Sequence, residues 1–423
     1  MRDFAGLMEK FNVSELESGL KIVTENIPDA GSFAIGFWFN TGTRNESEFP
    51  NGISHFVEHM IFKGTSKRNA KKITHEIESL GGYLNAFTTK EYTCFFAHGI
   101  NGNFERTFEV LSDIVQHPLF LPEDIEKEKG VVFDEISDTQ DSPEDLIYDE
   151  FETLIFKGNP LAFPILGTVD SLRLVKQKEL FRFVEKYYGL NNLIVSVVGK
   201  IPHQKVLDAV LNNFGGFRKI NSFKRELFLN SRPQRLHIQK DIKQSHLILG
   251  KPVDGYKSKK RILARLLSVI LGEGSSSRLF QTLREENGIA YQINAFINSY
   301  FETSAFGIYL STNEKKFPAA LELIHKEIDS LKKNVLNEEE LKRAKEYLKG
   351  SYILSSESLT NRMQRLAHSL TYYGKVKTVD EIVNEIDSVS SHDILEFSRS
   401  VLTPEEFSTV VISANNKLIL SAA

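Results

Sequence analysis

The chain of 423 residues contains a single cysteine, Cys94. Internal disulfides are therefore excluded, and so is a zinc site built on thiolates. No positive surplus exists either: 52 Lys and Arg stand against 56 Asp and Glu, a formal net charge of −4. No Lys/Arg cluster is interleaved with aromatics, so nothing points to a nucleic-acid partner. No stretch approaches the roughly 18 apolar residues of a membrane span. The opening "MRDFAGLMEKFNVSELESG" lacks an apolar core of signal-peptide length and an Arg/Ser-rich amphipathic run. The expectation is a cytoplasmic protein with no membrane span. Hydrophobic residues at 41% and charged residues at 26% are ordinary for a globular chain, and the length suits two to four domains.

Against this plain background, "GISHFVEHMIFKGT" (52–65) stands out. On a helix, His55 and His59 lie one turn apart on one face, and Glu58 lies on that same face. Ile53, Phe56, Val57, Met60, Ile61 and Phe62 make the rest apolar, which belongs in an interior. An unpaired buried carboxylate is costly, so Glu58 needs a partner or a task. Two imidazoles at this spacing can grip one divalent metal, and a neighbouring carboxylate can take a proton from an activated water. A lone histidine on such a helix is more often an ordinary hydrogen-bonded one. The ordered set H-x-x-E-H reverses that balance, because it is the inverted zincin signature.

The two halves echo each other. "YLNAFTTKEYTCFFAHGI" (83–100) resembles "QINAFINSYFETSAFGIYLS" (292–311), "LPEDIEKEKGVVFDE" (121–135) resembles "LNEEELKRAKEYLKG" (336–350), and "NLIVSVVG" (192–199) resembles "FSTVVISA" (407–414). Three matches in the same order argue for a duplication. The boundary falls in "NNFGGFRKINSFKRELFLNSRPQR" (212–235), which is Gly/Asn-rich and weakly periodic. The expected organisation is a domain over 1–215, a linker over 216–235 and a homologous domain over 236–423. "GLKIVTENI" and "SFAIGFWFNTG" read as strands. "NAKKITHEIESLGG" reads as a helix capped by Asn69 and stopped at Gly81-Gly82, and "NFERTFEVLSDIVQ" and "LFRFVEKYYG" as further helices. Each unit is expected to be α+β, with helices on one face of a largely antiparallel sheet.

A catalytic zinc usually takes three protein ligands and leaves one position open. "EDIEKEKGVVFDEIS" (123–137) offers carboxylates on a helix that Pro122 can start. Glu128 and Glu135 are two turns apart and point the same way. Acidic residues on a helix ordinarily face solvent, and this segment alone does not overturn that. In "GEGSSSRLFQTLREENGIAYQI" (272–293), Arg284 and Tyr291 are seven apart; alone, these read as a helix end stopped by Gly288 and followed by a strand.

Taken together, the chain resembles the M16 family of zinc peptidases, the group of pitrilysin, insulin-degrading enzyme and mitochondrial processing peptidase. "HFVEHMIFKGT" matches that family's H-x-x-E-H segment, and the likeness covers nearly the whole chain. It implies His55, His59 and Glu135 as ligands of one Zn2+ per chain, Glu58 as general base and Glu128 as support for the metal site. Asp134 is the close rival to Glu135. The resemblance also implies that Arg284 and Tyr291 hold substrate near the zinc. It places Asn85 and Ala86 on an edge strand that binds peptide backbone. It further implies a metallohydrolase fold of two tandem domains forming half of a clam-shaped chamber, a homodimer that closes it, and cleavage of unstructured peptides or targeting sequences. No H-x-x-E-H occurs in the second half, so that half is expected to hold no zinc. Non-catalytic partner subunits of this family typically lose residues of the motif, and this chain keeps them all.

Overall fold

The computed structural model describes residues 11–415. It divides into two compact units, Met1–Ile136 with Phe163–Arg225 and Ser355–Thr378, and Ser137–Ala162 with Glu226–Leu354 and Val379–Ala423.

Among the described residues, the first unit is built on six strands: β1 (Phe11–Glu15), β2 (Lys21–Asn26), β3 (Ser32–Phe39), β4 (Tyr83–Thr88), β5 (Thr93–Ile100) and β6 (Leu193–Gly199). Their order is β1-β2-β6-β3-β5-β4, so β4 lies at an edge. Only β2 and β6 pair in parallel; the other neighbours are antiparallel. The second unit has β7 (Arg235–Gln239), β8 (Ser245–Asp254), β9 (Ala290–Ser299), β10 (Thr303–Thr312) and β11 (Ser408–Ser413), in the order β7-β11-β8-β10-β9. Apart from β1, the two orders superimpose strand for strand, including one parallel pair each. The duplication read from three short echoes is thus a repeated sheet topology, and the fold class is α+β with two largely antiparallel sheets.

One feature differs from the expectation of helices on a single face. On one side of the first sheet, Phe33, Ile35, Phe37 and Phe39 pack with Phe104, Phe108, Val206 and Val210 from helices. Its other side carries Trp38, Cys94, Phe96, Ile194 and Val198, and these are covered by Met363, Leu366, Ala367 and Leu370 of the helix Leu359–Tyr373. That helix comes from the second half of the sequence. The second sheet is covered reciprocally by the helix Pro143–Ile155, from the first half, through Ile147, Phe151 and Ile155 against Ile248, Tyr309, Val410 and Ile412. Packing therefore cuts across the 1–215 and 236–423 division. The physical reason is visible in the strands: β6 and β11 are buried along their whole lengths, as near-continuous apolar runs demand.

Candidate metal centre

The H-x-x-E-H segment forms the helix Ile53–Ile61. Phe56, Val57, Met60 and Ile61 are fully buried and seat it against the first sheet. Its start is fixed by Glu46, a buried carboxylate that accepts hydrogen bonds from Asn51 Nδ2 (2.7 Å), Gly52 N (2.7 Å) and Ser54 N (2.8 Å). A carboxylate is favoured there by the unpaired N–H groups and the dipole of the helix N-terminus. Burial nevertheless pushes the Glu46 pKa up to about 7, against those donors. Gly52 adopts φ 90°, and a Cβ on it would meet the Leu166 carbonyl oxygen at 2.6 Å, so only glycine fits. Beyond the helix, Arg68 anchors the chain through Glu76 (2.8 Å), Glu109 (2.5 Å) and Asp113 (2.6 Å), and Thr65 also donates to Asp113 at 2.7 Å.

The rings of His55 and His59 lie side by side, with centroids 4.5 Å apart. Opposite them runs the helix Pro122–Asp141, pinned by buried Ile125, Val132 and Ile136. It brings Glu135 to 3.9 Å from His55 Nε2 and 3.7 Å from His59 Nε2. His55, His59 and Glu135 each offer one ligand atom, and these atoms lie within 4.8 Å of one another. Ligands ~2.0–2.1 Å from one tetrahedral ion sit roughly 3.3 Å apart, so a modest closure fits this set to zinc. Nitrogen and carboxylate donors suit that ion. Asp134 is exposed and is not part of the group.

Glu128, two turns earlier, is buried. Its Oε1 accepts from His59 Nδ1 at 2.8 Å, and its Oε2 pairs with Lys63 Nζ at 2.5 Å. A carboxylate partner fixes His59 with Nδ1 protonated and leaves Nε2 as the ligand atom. Burial works against the charge on Glu128, but His59 and Lys63 outweigh it and hold the carboxyl below its ordinary range. His55 has no such partner at Nδ1 among the described residues. Burial, with the nearby His59, depresses its pKa to about 3, which keeps the imidazole neutral, as a metal ligand must be. Glu58 is 9% exposed, and burial raises its pKa. Glu135 is the most open of the set, its side chain 39% exposed, so the centre faces solvent on that side.

Asn85 and Ala86 lie on edge strand β4. The amide oxygen of Asn85 accepts from the Ala86 N–H at 2.8 Å, so that backbone donor is capped by its own neighbour. In the second unit, Arg284 falls within a π-helix, Phe280–Glu286, with its guanidinium 5.0 Å above the Phe280 ring. Gly288 follows at φ 58°, and Tyr291 stands 67% exposed at the start of edge strand β9. Glu46, Lys63 and Thr88, whose hydroxyl donates to Glu58 Oε2 at 2.7 Å, escaped the sequence reading. Lys63 sat in plain view four residues after His59, whereas Glu46 and Thr88 resemble ordinary loop and strand-end residues.

A two-domain fold with H-x-x-E-H on a helix and a carboxylate brought from a second helix defines a zinc-peptidase architecture. The model described as "Insulinase (Peptidase family M16)" matches residues 21–169, and that described as "Peptidase M16 inactive domain" matches residues 175–348. The chain belongs to peptidase family M16, as a short two-domain member. An uncharacterized zinc protease of Rickettsia felis is 34% identical over 411 residues, covering 96% of this chain and 98% of that one. Another from Bacillus subtilis is 34% identical over 407 residues, covering 95% and 98%. In fold, a Helicobacter pylori protease superimposes with a TM-score of 0.89 at 22% identity, covering 96% of this chain and 99% of that one. Among the described residues, no helix is long and apolar enough to cross a membrane.

Proposed function

We propose that this protein is a zinc-dependent endopeptidase that binds one zinc per chain at His55, His59 and Glu135. In this reading it hydrolyses unstructured peptides or targeting sequences inside a chamber formed by a homodimer. The observation that carries the reading is the convergence of three ligand atoms within 4.8 Å, one residue from a buried carboxylate at Glu58. When bound, zinc supplies Lewis acidity, which polarises a carbonyl and acidifies water near neutral pH. Glu58 then takes the proton of the attacking water and delivers it to the leaving amine. Glu128 keeps the His59 ring oriented, and Glu46 keeps the helix that carries Glu58 in place. Substrate adds to β4 as an extra strand, displacing the Asn85 amide from the Ala86 N–H. Such pairing reads backbone more than side chains and gives loose sequence preference. Arg284 and Tyr291 contribute donors that steady the peptide and the developing oxyanion.

The test is turnover of a quenched fluorescent peptide that has no fixed structure. Removing zinc with a chelator should abolish cleavage, and one equivalent of zinc per chain should restore it. Cleavage that survives metal removal, or a fully loaded protein that cuts no peptide, overturns the reading.

A further inference from the structure

The general base is itself held, and the residue that holds it lies on the edge strand. Thr88 ends β4, and its hydroxyl stands 2.7 Å from Glu58 Oε2. Both side chains are buried, at 8% and 9% exposure. The proton positions follow from counting donors. Across the hairpin, Thr93 pairs in register with Thr88, and its own hydroxyl donates to the Thr41 carbonyl at 2.9 Å. The Thr88 hydroxyl has two acceptors to choose from: Glu58 at 2.7 Å or Thr93 at 3.5 Å. A carboxylate at the shorter distance is the stronger acceptor, so the proton points at Glu58. This bond engages one oxygen of the carboxylate, and Oε1 is left to receive the proton of the attacking water.

We infer that Thr88 is the positioning residue of the general base, tying Glu58 on the metal-binding helix to β4, three residues from Asn85. The inference rests on the hydrolase reading above. It adds a mechanical consequence: the strand that takes up the peptide and the carboxylate that acts on it share one hydrogen bond. Without the hydroxyl, Glu58 keeps its place in the sequence of the helix but loses the contact that fixes its χ angles. A reaction that needs oxygen and water within hydrogen-bond reach is sensitive to that freedom.

The experiment compares wild type, Thr88→Val and Thr88→Ser on one quenched peptide, with zinc content and melting temperature measured for each. Valine keeps the β-branched shape and removes only the donor. It should lower kcat about 10- to 100-fold, the range for loss of a buried hydrogen bond to a charged group. KM, zinc content and melting temperature should stay close to wild type, because the metal ligands and the β4 backbone that would pair with the peptide are unchanged. Serine restores the donor and should recover most of kcat. The inference is overturned if Thr88→Val keeps kcat within twofold of wild type, if it loses zinc in step with activity, or if Thr88→Ser is as impaired as Thr88→Val. A zinc-loaded wild type without peptidase activity overturns the hydrolase reading, and this inference with it. An active wild type beside an unaffected Thr88→Val overturns the Thr88 role alone.

Discussion

Glu128→Gln isolates what the carboxylate behind His59 does for the metal. Glu128 has two cationic or donor partners at once: His59 Nδ1 at 2.8 Å on Oε1 and Lys63 Nζ at 2.5 Å on Oε2. Glutamine has one acceptor and one donor end. If its oxygen faces His59, its NH2 confronts the Lys63 ammonium; if it faces Lys63, its NH2 confronts the His59 N–H. Either way one contact turns repulsive, and the negative charge that raises the basicity of the His59 ligand nitrogen is gone. A hydrogen bond to a charged group is worth ~1.5–3 kcal/mol, and Lys63 is partly open to water, so the lower part of that range applies. Zinc affinity should therefore fall about 10- to 30-fold, the lower part of the roughly 10- to 100-fold effect typical of removing a partner behind a metal-bound histidine. The assay is competition for zinc against a chromophoric chelator of known affinity. Lys63→Met serves as the control: it removes the ammonium but leaves the carboxylate on His59, so its affinity should stay nearer to wild type. A Glu128→Gln protein that binds zinc within twofold of wild type would show that His59 needs no such partner.

Further outcomes follow from the same geometry. Glu135→Gln should lose zinc in equilibrium dialysis whereas Asp134→Asn should retain it; the reverse would move the third ligand by one residue. Around Asp113, burial opposes the charge but the Thr65 hydroxyl and the Arg68 guanidinium outweigh it, holding its pKa below the ordinary 3.8. A carboxylate with a depressed folded pKa stabilises the fold above its unfolded pKa and stops doing so as pH falls through the folded value. Asp113→Asn should thus lower the melting temperature at pH 7 and flatten its decline below pH ~4, and an unchanged profile would refute that role. For the proposed dimer, Glu58→Gln chains mixed with Arg284→Ala/Tyr291→Phe chains under exchange should regain about a quarter of wild-type activity, since random pairing makes about half the dimers mixed, each with one intact site of two. No recovery on mixing, or a fully active monomer at nanomolar concentration, would refute sites shared between chains.

Part of the candidate centre was legible because helical periodicity is a strict ruler, whereas the choice of Glu135 as third ligand and Glu128 as its support came only from the family resemblance. Separations of four from His55 to His59 and of seven from Glu128 to Glu135 place each pair on one face of its helix whatever the surroundings. The Asn69 cap was legible for a similar local reason, and its side chain does accept from Lys72 N at 2.9 Å. What stayed hidden depends on tertiary neighbours. The apolar run "LIVSVVG" says that both faces of β6 are covered, but not that Leu359–Tyr373, more than 150 residues later, does the covering. Glu46 reads as a loop carboxylate until the helix start closes over it. Thr88 reads as an ordinary β-branched strand residue until Glu58 arrives within 2.7 Å. The π-helix at Phe280–Glu286 had no sequence signature, since its i→i+5 bonding is a small change from an α-helix of the same residues.

The most direct measurement is zinc content and peptide turnover on the same sample of Glu58→Gln. Glutamine keeps the size of the side chain and can still accept the Thr88 hydroxyl, but it cannot take a proton from water. The expected result is about one zinc per chain, as in wild type, with turnover reduced to near the detection limit. Zinc-loaded Glu58→Gln that cleaves peptide at a rate near wild type would contradict it, because the buried carboxylate would then have no part in the reaction.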